Sequence, residues 1–178
     1  MSTSRRPTPA ALIDPLLPRG REASFLAALD RDVARLGRPV AVMLTAPWHR
    51  RDAASIAERY GTTVWAHPAA GARLPFETQA GSLPDGIETF IVGGVWEGDV
   101  AFYIRPGRAL VVAELLMGID GGLRVCPPPA LQDRAAFEAS LQTLLRWSID
   151  HVLVSHGEPV IGNGGRQIND ALQAFAET

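Results

Sequence analysis

The chain has 178 residues, 47% of them hydrophobic, with a formal net charge of −2 and a mean hydropathy of +0.06. That is enough chain for one domain with a core, and too apolar for a disordered segment. The near-neutral charge speaks against a nucleic-acid or membrane-surface binder, and no apolar run has the length of a bilayer span.

All seventeen basic residues are Arg, scattered rather than gathered into a stripe. The one cysteine, Cys126, excludes an intrachain disulfide, so a cytoplasmic setting is expected. In "LRVCPPP" it reads as a small core residue. The start, "MSTSRRPTPAALIDPLLPRG", has two Args, but Pro and Asp interrupt its apolar part. It resembles neither a signal peptide nor an anchor. Residues 1–10 are expected to be a loose segment and 11–178 a single domain.

The elements follow in chain order. "ALID", residues 11–14, is a short strand closed by Pro15. "REASFLAALDRDVARLG" is a helix, because Phe25, Leu26, Leu29, Val33 and Leu36 recur at helical spacing and Gly37 supplies a stop. "RPVAVMLT" is continuously apolar, the pattern of a strand buried on both faces. Asp52 is placed to cap a helix over 53–60 that ends at Gly61, and "TTVWAH" is a further strand. Strands and helices alternate with short links, which predicts an α/β fold. The middle is loop-rich. "IETFIV", "DVAFYI" and "ALVVAELL" then read as strands with antiparallel neighbours. "GIDGGLRVCPPPALQD" reads as a connector. It leads to an amphipathic helix with Phe137, Leu141, Leu144, Leu145 and Ile149 on one stripe. "HVLVSHGEPV" is a strand running into a turn, and "RQINDALQAFAE" is a closing helix.

Three apolar strands end in ionisable residues: "TAPWHRRD", "VVAELLMG" and "VLVSHGEP". Such groups are expensive to bury unless something pairs with them, and strand tips are where α/β proteins place chemistry.

In this order the tips resemble the metallo-β-lactamase superfamily. That family's pattern runs "LID", "LTH-x-H-x-D-H", a strand like "V-W-A-H", a "G-H-T-P-G-S" loop, "L-F-T-G-D" and "P-G-H-G-x-P". The counterparts are Leu12 to Asp14, Leu44 to Asp52, Thr63 to His67, Gly93 to Asp99, Leu110 to Leu115, and Val154 to Pro159. The resemblance spans roughly residues 11–165 and implies a four-layer αββα sandwich of mostly metal-dependent hydrolases. The family's N-terminal strands have no counterpart before "LID". That implies either a sheet short of an edge or a protein that begins further upstream.

The ligand motif is degenerate. Aligned at Thr45 without gaps, Ala46 and Trp48 take the first two His positions, and Arg50 and Arg51 take the Asp and the third His. One inserted residue puts His49 on the second His and Asp52 on the last. Val95 replaces the His of the later loop, Glu114 replaces the bridging Asp, and His156 matches outright.

The resemblance thus implies His49, Asp52, Glu114 and His156 as the metal set, with zinc or another divalent ion as cofactor. Each residue has a plainer reading. His49 is then a turn residue beside Trp48, Asp52 a helix cap, Glu114 the ion-pair partner of Arg50 or Arg51, and His156 a bond to loop backbone. His67 and His151 fall outside the set. The expected function is a divergent, hydrolase-like protein with a degraded metal site and little metal-dependent hydrolysis. One alternative is a mononuclear hydrolase of esters or thioesters. The other is a non-catalytic anion- or partner-binding module using Arg50 and Arg51. A small-molecule ligand is a possible partner, and self-association is left open.

Overall fold

The computed structural model describes residues 10–37, 39–126 and 131–177. Apart from Ala10, the segment expected to be loose lies outside them. The chain forms two compact units, Met1–Gly86 and Ile87–Thr178. Among the described residues, no helix is long and apolar enough to cross a membrane.

The first unit is built on a four-stranded parallel sheet, ordered β1 (Ala10–Ile13), β2 (Val40–Met43), β3 (Val64–Trp65), β4 (Thr78–Gln79). Val42, Met43 and Leu44 are fully buried, as their unbroken apolar run predicts. Helix α1 (Glu22–Leu36) links β1 to β2. It stops at Gly37, whose left-handed backbone lets its N–H reach the carbonyls of Val33 and Ala34. Helix α2 (Ala53–Tyr60) buries Ala53, Ile56 and Ala57 and ends in the same way at Gly61. A short helix, α3 (Pro68–Gly71), follows, capped by His67 Nδ1 accepting from Ala69 N at 3.3 Å.

The expected stripe on α1 is present, but it is not core. No α1 residue is buried; Leu26, Leu29 and Val33 are half-buried, while Phe25 is 43% and Leu36 48% exposed. Periodicity reports an apolar face, not what covers it.

The second unit carries a five-stranded sheet, ordered β11 (Val160–Ile161), β10 (His151–Val154), β7 (Ala109–Val112), β6 (Val100–Ile104), β5 (Ile87–Ile91). The β5/β6 and β6/β7 pairs are antiparallel, as the short links predict, and β10 lies parallel to β7. Helices α4 (Arg134–Gln142) and α5 (Gly164–Ala176) contribute Phe137, Leu141, Ile168, Ala171 and Leu172 to a core shared with Phe90, Val95, Leu110, Val112 and Val152. Asp133 caps α4, accepting from Ala136 N at 3.0 Å.

Three expectations need correction here. "ALVVAELL" is not one strand: β7 stops at Val112, the chain bends through Ala113–Leu115, and β8 (Leu116–Ile119) begins. The supposed connector holds a hairpin of β8 with β9 (Gly122–Val125), turned by Asp120 and Gly121, both at positive φ. Asp-Gly is the residue pair such a two-residue turn prefers, so the apolar flanks should have been read as strands. Finally, α4 gives way at Thr143 to a 3₁₀ turn, so Leu145 leaves the stripe and is exposed while Leu144 and Ile149 stay buried. Cys126 is a free, half-buried thiol, and the prolines after it lie outside the described residues.

One surface tie joins α1 to α2. Asp30 accepts from Arg59 Nε at 2.9 Å and from the Tyr60 hydroxyl at 2.9 Å, and Arg59 Nη2 binds its other oxygen. The Arg59 guanidinium lowers the Asp30 carboxyl from 3.8 to about 2. Because the folded value is the depressed one, this stabilisation is present above the unfolded value and is lost as pH falls through about 2. Asp30→Asn should therefore lower the urea midpoint at neutral pH. The difference from wild type should close as the medium approaches pH 2, and a gap that persists there would remove the ion pair as its cause.

Candidate metal centre

In the first unit, the parallel register of β1 and β2 pairs Ile13 with Met43. The residues just past those ends therefore meet. Asp14 lies at φ 48°, a left-handed conformation that Asp tolerates better than most residues, and its carboxylate turns back onto β2. Oδ1 accepts from Thr45 N at 2.9 Å, and Oδ2 accepts from the Thr45 hydroxyl at 2.5 Å.

A 3₁₀ turn over Pro47–His49 then brings His49 round, with its N–H on Ala46 O at 3.1 Å. The His49 ring places Nδ1 3.0 Å from Asp14 Oδ2. Asp14, Thr45 and His49 are all buried. Three polar groups removed from water thus satisfy one another, as burial requires. A neutral ring that donates from Nδ1 to this carboxylate keeps its lone pair on Nε2. This is how a ligating His is commonly oriented.

Asp14 was not among the expected site residues. The rule that singled out Glu114 and His156, an ionisable residue closing an apolar strand, applies to "ALID" as well.

Asp52 occupies the cap position of α2 but makes no side-chain cap bond. Its Oδ2 instead accepts from Leu17 N at 2.7 Å, and its N–H donates to Pro15 O. Its described bonds therefore tie down the loop that follows Asp14. Arg50 and Arg51 are exposed, and Arg51 reaches the Asp14 carbonyl at 3.4 Å.

In the second unit, the parallel register of β7 and β10 pairs Val112 with Val154. Two residues beyond each end stand Glu114 and His156, with Nε2 and Oε1 3.2 Å apart. Two glycines fix this approach. Gly118 and Gly157 form an isolated bridge, with Gly118 N on His156 O at 3.0 Å. A Cβ on Gly157, at φ 83°, would fall 1.8 Å from Gly118 O, and one on Gly118 would fall 1.9 Å from Glu158 O. Only glycine fits either place. His67 and His151 bond backbone instead, His67 as the α3 cap and His151 Nδ1 accepting from Gly162 N at 3.1 Å.

Two positions where the family pattern carries a ligand are apolar and buried. Ala46 is fully buried, and Val95 belongs to the core of the second unit. Imidazole nitrogens and a carboxylate are donor types suited to zinc or a similar divalent ion.

No protein-family model matches the sequence, and no curated protein does. Solved structures do. A di-iron-bound form of TTHA1623 is 26% identical, matching 85% of this chain and 83% of its own with a TM-score of 0.59. A metallo-β-lactamase from Pontibacter korlensis is 18% identical over 94% of this chain and 84% of its own, at 0.65. One from Erythrobacter litoralis, with β-mercaptoethanol in its active site, is 14% identical over 97% and 82%, at 0.67.

Two substitutions test the two halves. Asp14→Asn should destabilise the fold by about 1.5–3 kcal/mol, the worth of hydrogen bonds to a buried charge, read by urea unfolding. Gly157→Ala should cost about 1–3 kcal/mol from backbone strain alone. It should also shift the His156 ring resonances as the ring leaves Glu114, and unchanged resonances would show that the glycine contact does not position it.

Proposed function

This chain is a metallo-β-lactamase-fold protein, and we propose that it carries a single-ion, hydrolase-type centre in which His49, Glu114 and His156 are the ligands. Asp52 is left to its loop. The observation that supports the reading is the orientation of His49: a buried carboxylate takes its Nδ1, the arrangement in which a neutral imidazole offers Nε2 as the ligating atom. The Glu114–His156 pair supplies one carboxylate and one imidazole side by side. His49 is joined to that pair on the order of strand tips that the fold family shares.

A bound divalent ion would serve as a Lewis acid, polarising a carbonyl and making water more acidic. The chain's own residues do the rest. Asp14 and Thr45 hold His49 in one tautomer and one orientation. Gly118 and Gly157 keep His156 against Glu114. Ala46 and Val95 cannot ligate, and among the described residues one group of metal-ligating side chains is found, so the centre is read as taking one ion; esters and thioesters are the bonds proposed for it.

The second reading is a fold kept without its chemistry. In its favour, each histidine already has a carboxylate partner and needs no ion to be satisfied.

Metal content separates the two. Protein purified without a His tag and dialysed against zinc should retain about one ion per chain. His156→Ala should abolish retention, and His151→Ala should leave it intact. Ester and thioester hydrolysis should follow the retained metal. No ion in the wild type would sink the single-ion centre and leave the second reading.

A further inference from the structure

The pair Asn163–Gly164 carries a chemistry of its own. A backbone nitrogen that follows an asparagine can attack the side-chain amide carbon. The new N–Cγ bond closes a succinimide ring, and the amide nitrogen leaves as ammonia. Water then opens the ring at one carbonyl or the other, giving aspartate or isoaspartate. Glycine in the following position favours the attack, because it has no side chain in the way and its backbone turns freely. The chain has two asparagines, and the other, Asn169, is followed by Asp170, so Asn163 is the reactive one.

The fold keeps the attacking nitrogen occupied. Asn163 is exposed, but Gly164, the first residue of α5, is buried. Gly164 N donates to Asp150 O at 2.9 Å, and a Cβ on Gly164 would lie 3.0 Å from that oxygen. On either side, Gly162 N donates to His151 Nδ1 at 3.1 Å and Gly165 N to Ile149 O at 2.8 Å. The loop is thus pinned through its N–H groups to consecutive residues that lead into β10. The Asn163 carbonyl accepts from Gln167 N at 3.0 Å, with Asn163 at φ 61° and ψ 18°. At that ψ the Gly164 nitrogen points away from the Asn163 side chain. To reach Cγ it must leave Asp150 O while Asn163 rotates about ψ, which undoes the first turn of α5.

We infer that Asn163 is a deamidation site closed by this clamp, so that the chain acquires aspartate or isoaspartate there only when the first turn of α5 opens. An isoaspartate routes the backbone through the side-chain carbon. It therefore shifts Gly164 and Gly165 along the chain relative to Asp150 and Ile149, and the clamp cannot re-form as it was. Helix α5 places Ile168, Ala171 and Leu172 in the core of its unit, so a chain marked in this way holds that helix by fewer bonds. The modification is a lasting record of past opening.

Peptide mapping by mass spectrometry reads the reaction in the full chain, held in mildly alkaline buffer with and without urea; chromatography separates the two products. Folded wild type should convert Asn163 at least about tenfold more slowly than the urea-unfolded chain. His151→Ala removes the acceptor of Gly162 N and leaves the reacting atoms alone. It should speed conversion in the folded protein by about two- to tenfold, the effect of one hydrogen bond on the opening equilibrium, and leave the rate in urea unchanged. Circular dichroism melts confirm that the variant is folded, and the wild-type comparison decides the matter if it is not. Equal rates in the folded and unfolded wild type overturn the inference. So does a folded His151→Ala chain that reacts no faster than wild type, or an Asn163 that stays intact in urea.

Discussion

A buried carboxylate at the end of β1 has to be met by donors, and Asp14 obtains all of its own from one short stretch. Thr45 gives its N–H and its hydroxyl, and His49 gives Nδ1. Removing an ionised carboxylate from water without such partners would cost several kcal/mol. The bonds therefore do two things at once. They make the β1 tip tolerable inside the protein, and they leave His49 with one orientation. The same Asp14 carbonyl takes the Arg51 guanidinium, and Asp52 fastens the loop between β1 and α1. These bonds give the His49 ring a fixed set of partners, the kind of support that a ligating side chain would need.

The second unit reaches a similar end by different means. There the constraint is steric. Two glycines, one on β8 and one after β10, touch backbone to backbone where no side chain fits. The parallel register of β7 and β10 delivers Glu114 and His156 to matching places, and the glycine contact stops His156 from swinging away. In both units the chemistry-bearing residues stand within two residues of a paired strand pair's end, or one tight turn beyond it. Strand register, rather than loop conformation, sets their spacing.

Much of this was legible in the sequence. The α/β class, the strands β2, β5, β6 and β10, and the helices α2, α4 and α5 follow from apolar runs and periodicity, as does the antiparallel pairing forced by short links. Glu114 and His156 stand out because an ionisable residue after four apolar ones calls for an explanation. The losses have particular causes. The β8–β9 hairpin hid behind its glycines, although Asp120-Gly121 is a turn signal in its own right. Asp14 was passed over as a strand terminator because its partners, Thr45 and His49, lie more than thirty residues away and no local pattern encodes them. Asp52 was read as a cap from its position, but Leu17 N, which a sequence does not reveal as a competitor, takes its carboxylate. Phe25 and Leu36 were correctly placed on an apolar face, but the pattern is silent on whether that face is covered by the chain itself.

The central claim is that, of the four histidines, two are ligands through Nε2 and two are structural. Nitrogen-15 NMR of the histidine rings during a zinc titration tests it most directly. The account predicts that His49 begins as the Nδ1–H tautomer, and that the Nε2 signals of His49 and His156 move together and saturate at about one equivalent while His67 and His151 stay still. Movement of His67 or His151 instead, or no movement at all, would contradict it.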